Sequence, residues 1–239
     1  MFYVVFNTTC CVFIVSFVRG GYIMQITIRE PGSAITHFIA MIMAVFASVP
    51  LLVKAAVSSG SLAFTVMTVF MLSMILLYGA SATYHSVNVS DKVLKIFRKI
   101  DHMMIFVLIA GTYTPVCLII LDGKMGYTLL FIVWAIAIFG MIIKMLCITC
   151  PKWFSSVIYI AMGWVCIFVF VPLWKSLPHS AFLWLLAGGI IYTVGGVIYA
   201  LKLPIFNARH RNFGSHEIFH LFVMAGSICH FVFMYRYLV

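Results

Sequence analysis

From residue 35 onward the chain alternates between long apolar runs and short polar breaks. The runs cover residues 35–53, 61–85, 101–121, 126–147, 153–174, 181–201 and 216–235. Each is close to the ~20 residues that an α-helix needs to cross a hydrocarbon core. None shows the apolar–polar alternation over ~10 residues that marks the strands of a membrane barrel. The breaks hold the helix-stopping residues and the charges: Lys54 and Gly60, then NVSDKVLKIFRK, DGKMG, TCPK, KSLPHS and KLPIFNARHRNFGS. The pattern predicts an all-α polytopic protein of seven transmembrane helices forming one domain, residues 24–239. Its loops are too short to hold a soluble domain.

Composition removes the alternatives. Of the 239 residues 65% are hydrophobic and 8% are charged, against about 25% charged in a soluble domain. The net charge of +10 is concentrated in the short breaks, which is the mark of membrane topology and not of a nucleic-acid surface. The N-terminal arm and alternate loops hold Arg19, Arg29, Lys92, Lys95, Arg98, Lys99, Lys144, Lys152, Lys202, Arg209 and Arg211; the opposite side holds only Lys54, Lys124, Lys175 and Arg236. Basic residues stay in the cytoplasm, so the expected orientation is N-in and C-out. That is the reverse of a G-protein-coupled receptor. A retinal protein is excluded as well, because the last span lacks the lysine its Schiff base needs. Membrane lipids are the expected partners; nucleic acid and soluble protein partners are not expected. The seven cysteines are odd in number and mostly lie in or beside apolar runs, so no disulfide framework is expected. Cys147 and Cys150 form a single C-x-x-C with no second pair and read as reduced loop residues.

Residues 1–23 are a separate question. The stretch MFYVVFNTTCCVFIVSFV is apolar but has neither the basic start nor the small-residue cleavage site of a secretory signal. RGGYIM, ending at Met24, is compatible with a purine-rich ribosome-recruiting stretch just ahead of a start codon. The expectation is that translation begins at Met24 and that residues 1–23 are an over-extended reading of the gene. A peptide from residues 1–18 in the native protein would refute this.

Chemistry enters through the acids and histidines, since ionisable residues in spans mark functional sites. The acids are Glu30, Asp91, Asp101, Asp122 and Glu217. Glu30 precedes the first span, which carries His37; the second ends in SATYH, with Ser81 and His85; the third opens on Asp101-His102; the seventh opens on His216-Glu-Ile-Phe-His220. In the expected topology all these groups fall at one depth, in the cytoplasmic half. His216 and His220, at i and i+4, share a helix face and could bind one metal ion, with His85 as third ligand. Three histidines with an open fourth position are the arrangement of catalytic zinc, where bound water becomes acidic. Asp101 would then orient that water or act as general base, and Ser81 would hydrogen-bond a substrate carbonyl or the oxyanion formed from it. Plain structural roles stand beside these: interfacial histidines, a serine satisfying its own helix, and Asp101 capping the start of a helix. His230 lies ~15 Å beyond His220 at helical rise, too deep for the same cluster, and reads as a packed polar residue. His179 and His210 carry no signal.

The order EPGSAITH, S-x-x-x-H, Asp and H-x-x-x-H, from about Arg29 to the end, resembles the haemolysin III family. This is the bacterial branch of the progestin and adipoQ receptor family, akin to alkaline ceramidase-type membrane hydrolases. The resemblance implies a seven-helix fold with Zn2+ held by His85, His216 and His220, a metal water contacted by Asp101, and Ser81 nearby. The family's first motif is E-x-x-N-x-x-x-H. Here Glu30 and His37 match, with Ser33 in place of Asn, so Glu30 and His37 are expected to support the ligands or orient the span. Glu217 is not part of that pattern, which removes the general-base role that H-E-x-x-H would give it in a soluble protease.

Three functions are compatible with these residues. The first is a zinc-dependent hydrolase of lipid amides or esters, serving membrane lipid homeostasis. The second is a cytolytic, pore-forming haemolysin, which the family name suggests but for which no segment able to convert from soluble to inserted form is evident. The third is a lipid-sensing receptor in which zinc is structural.

Overall fold

A computed structural model describes residues 2–7, 12–19, 22–121, 123–146, 152–201 and 214–239. Ahead of the helices, β1 (Phe2–Asn7), β2 (Val12–Arg19) and β3 (Tyr22–Ile28) form an antiparallel meander in the order β1-β2-β3. This qualifies the all-α expectation for the first 28 residues, which carry the β-branched and aromatic side chains that suit strands. From Pro31 onward the described residues form only helices: α1 (Pro31–Lys54), α2 (Gly60–Ser86), α3 (Asp91–Pro115), α4 (Gly123–Leu146), α5 (Lys152–Gly163), α6 (Phe170–Ser176), α7 (His179–Leu201) and α8 (Ser215–Phe233).

Among the described residues, six helical runs are long and apolar enough to cross a membrane. The first two expected spans are joined in one run of 56 residues, Pro31–Ser86. The helix continues past Lys54 as a π-turn, Ala55–Ser59, and reverses at Gly60, whose φ of 81° a side-chain-bearing residue rarely adopts. As a result α2 packs back along α1, and the Glu30 N–H donates to the His85 carbonyl at 3.0 Å. The two ends of the run are therefore neighbours.

Two other boundaries differ from the apolar pattern. Helix α3 starts at Asp91, ten residues before its apolar run, because DKVLKIFRK is a good helix former despite its charge. The fifth expected span, found as the run Trp153–Ser176, is interrupted by a 3₁₀ stretch, Trp164–Val169. The buried Tyr113 hydroxyl repairs this break: it donates to the Gly163 carbonyl at 2.6 Å and accepts from the Cys166 N–H at 2.9 Å. In lipid such backbone groups must find partners inside the protein.

The helices pack in a ring. Helix α2 lies between α1 and α3, α3 also meets α4 and α5, α5 meets α7, α7 meets α8, and α8 closes on α1. Helix α2 is enclosed most fully, with Met67, Phe70, Met71, Leu77 and Tyr78 at 0–3% exposure. Large apolar side chains face outward, Phe46, Phe131 and Phe168 among them, at 73–84% exposure. In water that surface would aggregate; in a bilayer it faces its solvent.

Candidate metal centre

The end of α2 and the start of α8 bring three histidines together. His85 is 1% exposed and His220 2%. His85, His216 and His220 can each offer a ligand atom such that all three lie within 4.8 Å of one another. The His85 and His216 Nε2 atoms are 3.2 Å apart. Two nitrogens bound to one tetrahedral zinc, each at about 2.0–2.1 Å, lie about 3.3 Å apart, so the pair already has the spacing of ligands.

The rings are held from behind. The His85 Nδ1–H donates to the Glu30 carboxylate, an unusually short contact, which leaves Nε2 bare toward the cluster. Arg29 fixes Glu30 in turn: its guanidinium lies 3.5 Å from the carboxylate, 4.4 Å from the Tyr84 ring centroid, and donates to the Tyr84 carbonyl at 3.1 Å. Burial pushes the Glu30 carboxyl up, but the His85 hydrogen bond and the charges of His85, Arg29 and His216 outweigh it and hold it below its ordinary value. His37 stacks flat on His220, with centroids 3.5 Å apart at 8°, and meets the edge of Tyr78. Neither of its ring nitrogens has a hydrogen-bond partner among the described residues. The Thr36 hydroxyl, which donates to the Gly32 and Ser33 carbonyls, lies 3.4 Å from the His220 Nδ1.

Glu217 points elsewhere. One carboxylate oxygen accepts from the Gly214 N–H at 2.8 Å and the other from the Ser33 hydroxyl at 2.7 Å. It caps α8 and ties that helix to α1, which gives Ser33, 0% exposed, a definite partner. Asp101 lies ten residues inside α3, so it is not a helix cap. Its carboxylate is 4.0 Å from the His102 Nδ1, whose own proton goes to the Arg98 carbonyl at 2.7 Å.

Asp101, Ser81, His37, His216 and His220 all border one cavity inside the ring. The rest of its wall is mostly apolar and reaches Val116 just past the end of α3, Leu173 on α6 and Phe182 on α7. Asp101 and Val116 are fifteen positions apart on one helical run, about 22 Å at 1.5 Å per residue. Sequence reasoning missed the supports contributed by Arg29, Thr36 and Tyr84. Tyr84 stood beside His85 in the quoted SATYH, but nothing in spacing alone marked it. Cys147, Cys150 and His210 lie outside the described residues. His179 stacks on Trp174, with centroids 4.5 Å apart.

The described family Haemolysin-III related matches residues 25–231. The chain is 40% identical to Hemolysin-3 of Bacillus cereus over 85% of its length and 89% of that protein. It is 39% identical to the Hemolysin-3 homolog of Bacillus subtilis over 86% of its length and 92% of that protein. A more distant match, 33% identity over 79 residues, is to the ADIPOR-like receptor IZH2 of Saccharomyces cerevisiae, covering 32% of this chain and 24% of that one.

Proposed function

Because the chain belongs to the haemolysin III family, a family of multi-pass cell-membrane proteins, we propose that it is a zinc-dependent hydrolase of lipid amides or esters. It crosses the membrane seven times, with the long first run counted as two crossings and the N-terminal arm in the cytoplasm. His85, His216 and His220 hold the ion. The observation that carries this reading is that two buried imidazoles and a half-buried third come within ligand reach of one another, and that His216 and His220 border one long apolar cavity together with Ser81 and Asp101.

A zinc ion at this place supplies a Lewis acid that polarises a carbonyl and makes water acidic. The chain's own residues do the rest. Glu30 holds His85 in the tautomer with its Nε2 free, and the His37 ring fixes the plane of His220. Asp101, on the wall of the cavity that His216 and His220 also border, takes the proton from attacking water and returns it to the leaving amine or alcohol. Ser81 donates a hydrogen bond to the carbonyl oxygen as negative charge develops on it. The apolar wall, about 22 Å long along α3, takes the acyl chain and keeps bulk water away. A substrate with one carbonyl and one long apolar chain fits this division of labour.

A second reading, a lipid sensor with structural zinc, has support in the partial likeness to a protein named as a receptor and in the way the cluster joins α2 to α8. Asp101→Asn separates the two. A hydrolase keeps its metal and loses turnover of a broad panel of acyl lipids by at least about a hundredfold, within the range general bases contribute; a sensor keeps both metal and signal. Metal analysis of the purified protein beside His85→Ala and His220→Ala tests the site itself. Wild-type stoichiometry in both variants would remove it.

A further inference from the structure

His230 lies ten residues beyond His220 on α8, about 15 Å further along the helix. It is 6% exposed, and its Nδ1 has no hydrogen-bond partner among the described residues. Its ring stacks on Tyr192 of α7, with centroids 5.3 Å apart at 24°, and it borders the same cavity as His216 and His220. Gly188 makes room for it: a Cβ there would come 2.7 Å from the His230 Nε2. The neighbouring hydroxyls of Tyr192 and Tyr78 both meet the Ser227 Oγ, at 2.8 and 2.7 Å. They satisfy one another and leave the imidazole out.

A polar group without a partner at membrane depth is costly, and packing alone would be served by Leu or Phe. The geometry points to a second polar station in the cavity, at which His230 hydrogen-bonds a hydroxyl carried on the acyl chain of the ligand. The neutral imidazole offers one donor and one acceptor, so it can meet a hydroxyl in either sense. An extended chain of ~1.5 Å C–C bonds advances about 1.25 Å per carbon. With the carbonyl carbon at the histidine cluster counted as the first, the hydroxyl therefore falls at about the twelfth or thirteenth carbon. The ligand class is a mid-chain hydroxylated fatty acyl group. This rests on the reading of the cavity as the acyl-chain site.

The test is competition binding on the purified full-length protein in detergent, with a fluorescent fatty acid as probe. The competitors are stearate, a stearate hydroxylated on about the twelfth carbon, and one hydroxylated next to the carboxyl end. Wild type is expected to prefer the mid-chain hydroxylated acid about tenfold over stearate, the factor that about 1.4 kcal/mol of hydrogen bonding supplies, and to show no such preference for the other isomer. His230→Phe is expected to abolish the preference while stearate still binds, and His230→Gln to retain part of it. Equal binding of the three acids to wild type overturns the station and leaves the cavity reading standing; it is also the result expected if only water meets the imidazole. A preference that survives in His230→Phe overturns it too. Failure of every acid to displace the probe removes the cavity reading and the station together.

Discussion

Replacing Glu30 with Gln removes a charge from behind His85 while keeping the shape of the side chain. Its carboxylate accepts the His85 Nδ1–H. A hydrogen bond to a charged acceptor contributes about 1.5–3 kcal/mol, against about 0.5–1.5 for a neutral one. The difference, about 1–1.5 kcal/mol, is set toward its lower end because the Glu30 side chain is 45% exposed although His85 is only 1% exposed. Metal affinity should therefore fall about five- to tenfold in Glu30→Gln. In Glu30→Ala the buried Nδ1–H loses its partner, and the fall should approach a hundredfold, the upper range for groups that orient metal ligands. The measurement is zinc titration of metal-stripped protein against a chromophoric chelator at fixed pH. Ser33→Ala serves as a control that loosens the α1–α8 tie without touching a ligand. Wild-type affinity in both Glu30 variants would refute the claim that this carboxylate orients His85. Complete loss of binding in Glu30→Gln would refute it in the other direction, by making Glu30 a ligand.

Further outcomes follow from neighbouring contacts. Glu217→Gln should keep both metal and function, since the residue caps α8 and binds Ser33; an inactive protein with full metal content would return Glu217 to the role of general base. Tyr113→Phe deprives the Gly163 carbonyl and the Cys166 N–H of their shared hydroxyl. It should cost about 2–4 kcal/mol and lower the thermal midpoint in detergent by about 5–10 °C with metal content unchanged; an unaltered midpoint would mean that the break is satisfied otherwise. Gly60→Ala meets no neighbour, yet places a Cβ at φ 81°. It should cost about 1 kcal/mol, and a stabilised protein would contradict the positive φ.

The helical runs were legible because a bilayer leaves a simple signature: about twenty apolar residues, then a charge or a glycine. The three histidines that cluster were legible as a group because they stand at the ends of such runs. What was not legible has physical causes. The start of α3 was hidden because apolarity marks where lipid is, not where a helix begins, and Asp91–Ile100 is helical without being apolar. The reversal at Gly60 looked like a plain loop because no pattern distinguishes a loop from a π-turn that ends in a left-handed glycine. Tyr113 gave no hint of mending the break between α5 and α6, fifty residues away, because such a contact is a product of packing. The partnership of Ser33 with Glu217, 184 positions apart, was beyond reach for the same reason; Ser33 stood out only as a departure from a motif.

The distance along the chain between the two halves of the histidine cluster has a consequence for how the protein is made. His85 and His216 are separated by 131 residues. At about 5–20 residues per second, a ribosome needs roughly 7–26 s to travel from one to the other. For the later part of that interval α1 and α2 can already be inserted and clasped through Glu30 and His85, yet no cluster exists. The nascent chain carries a half-built site whose buried imidazole waits for the last helix. Any chain stopped short of α8 would be left in that state, unable to close the ring, and distinguishable to membrane proteases from a finished molecule.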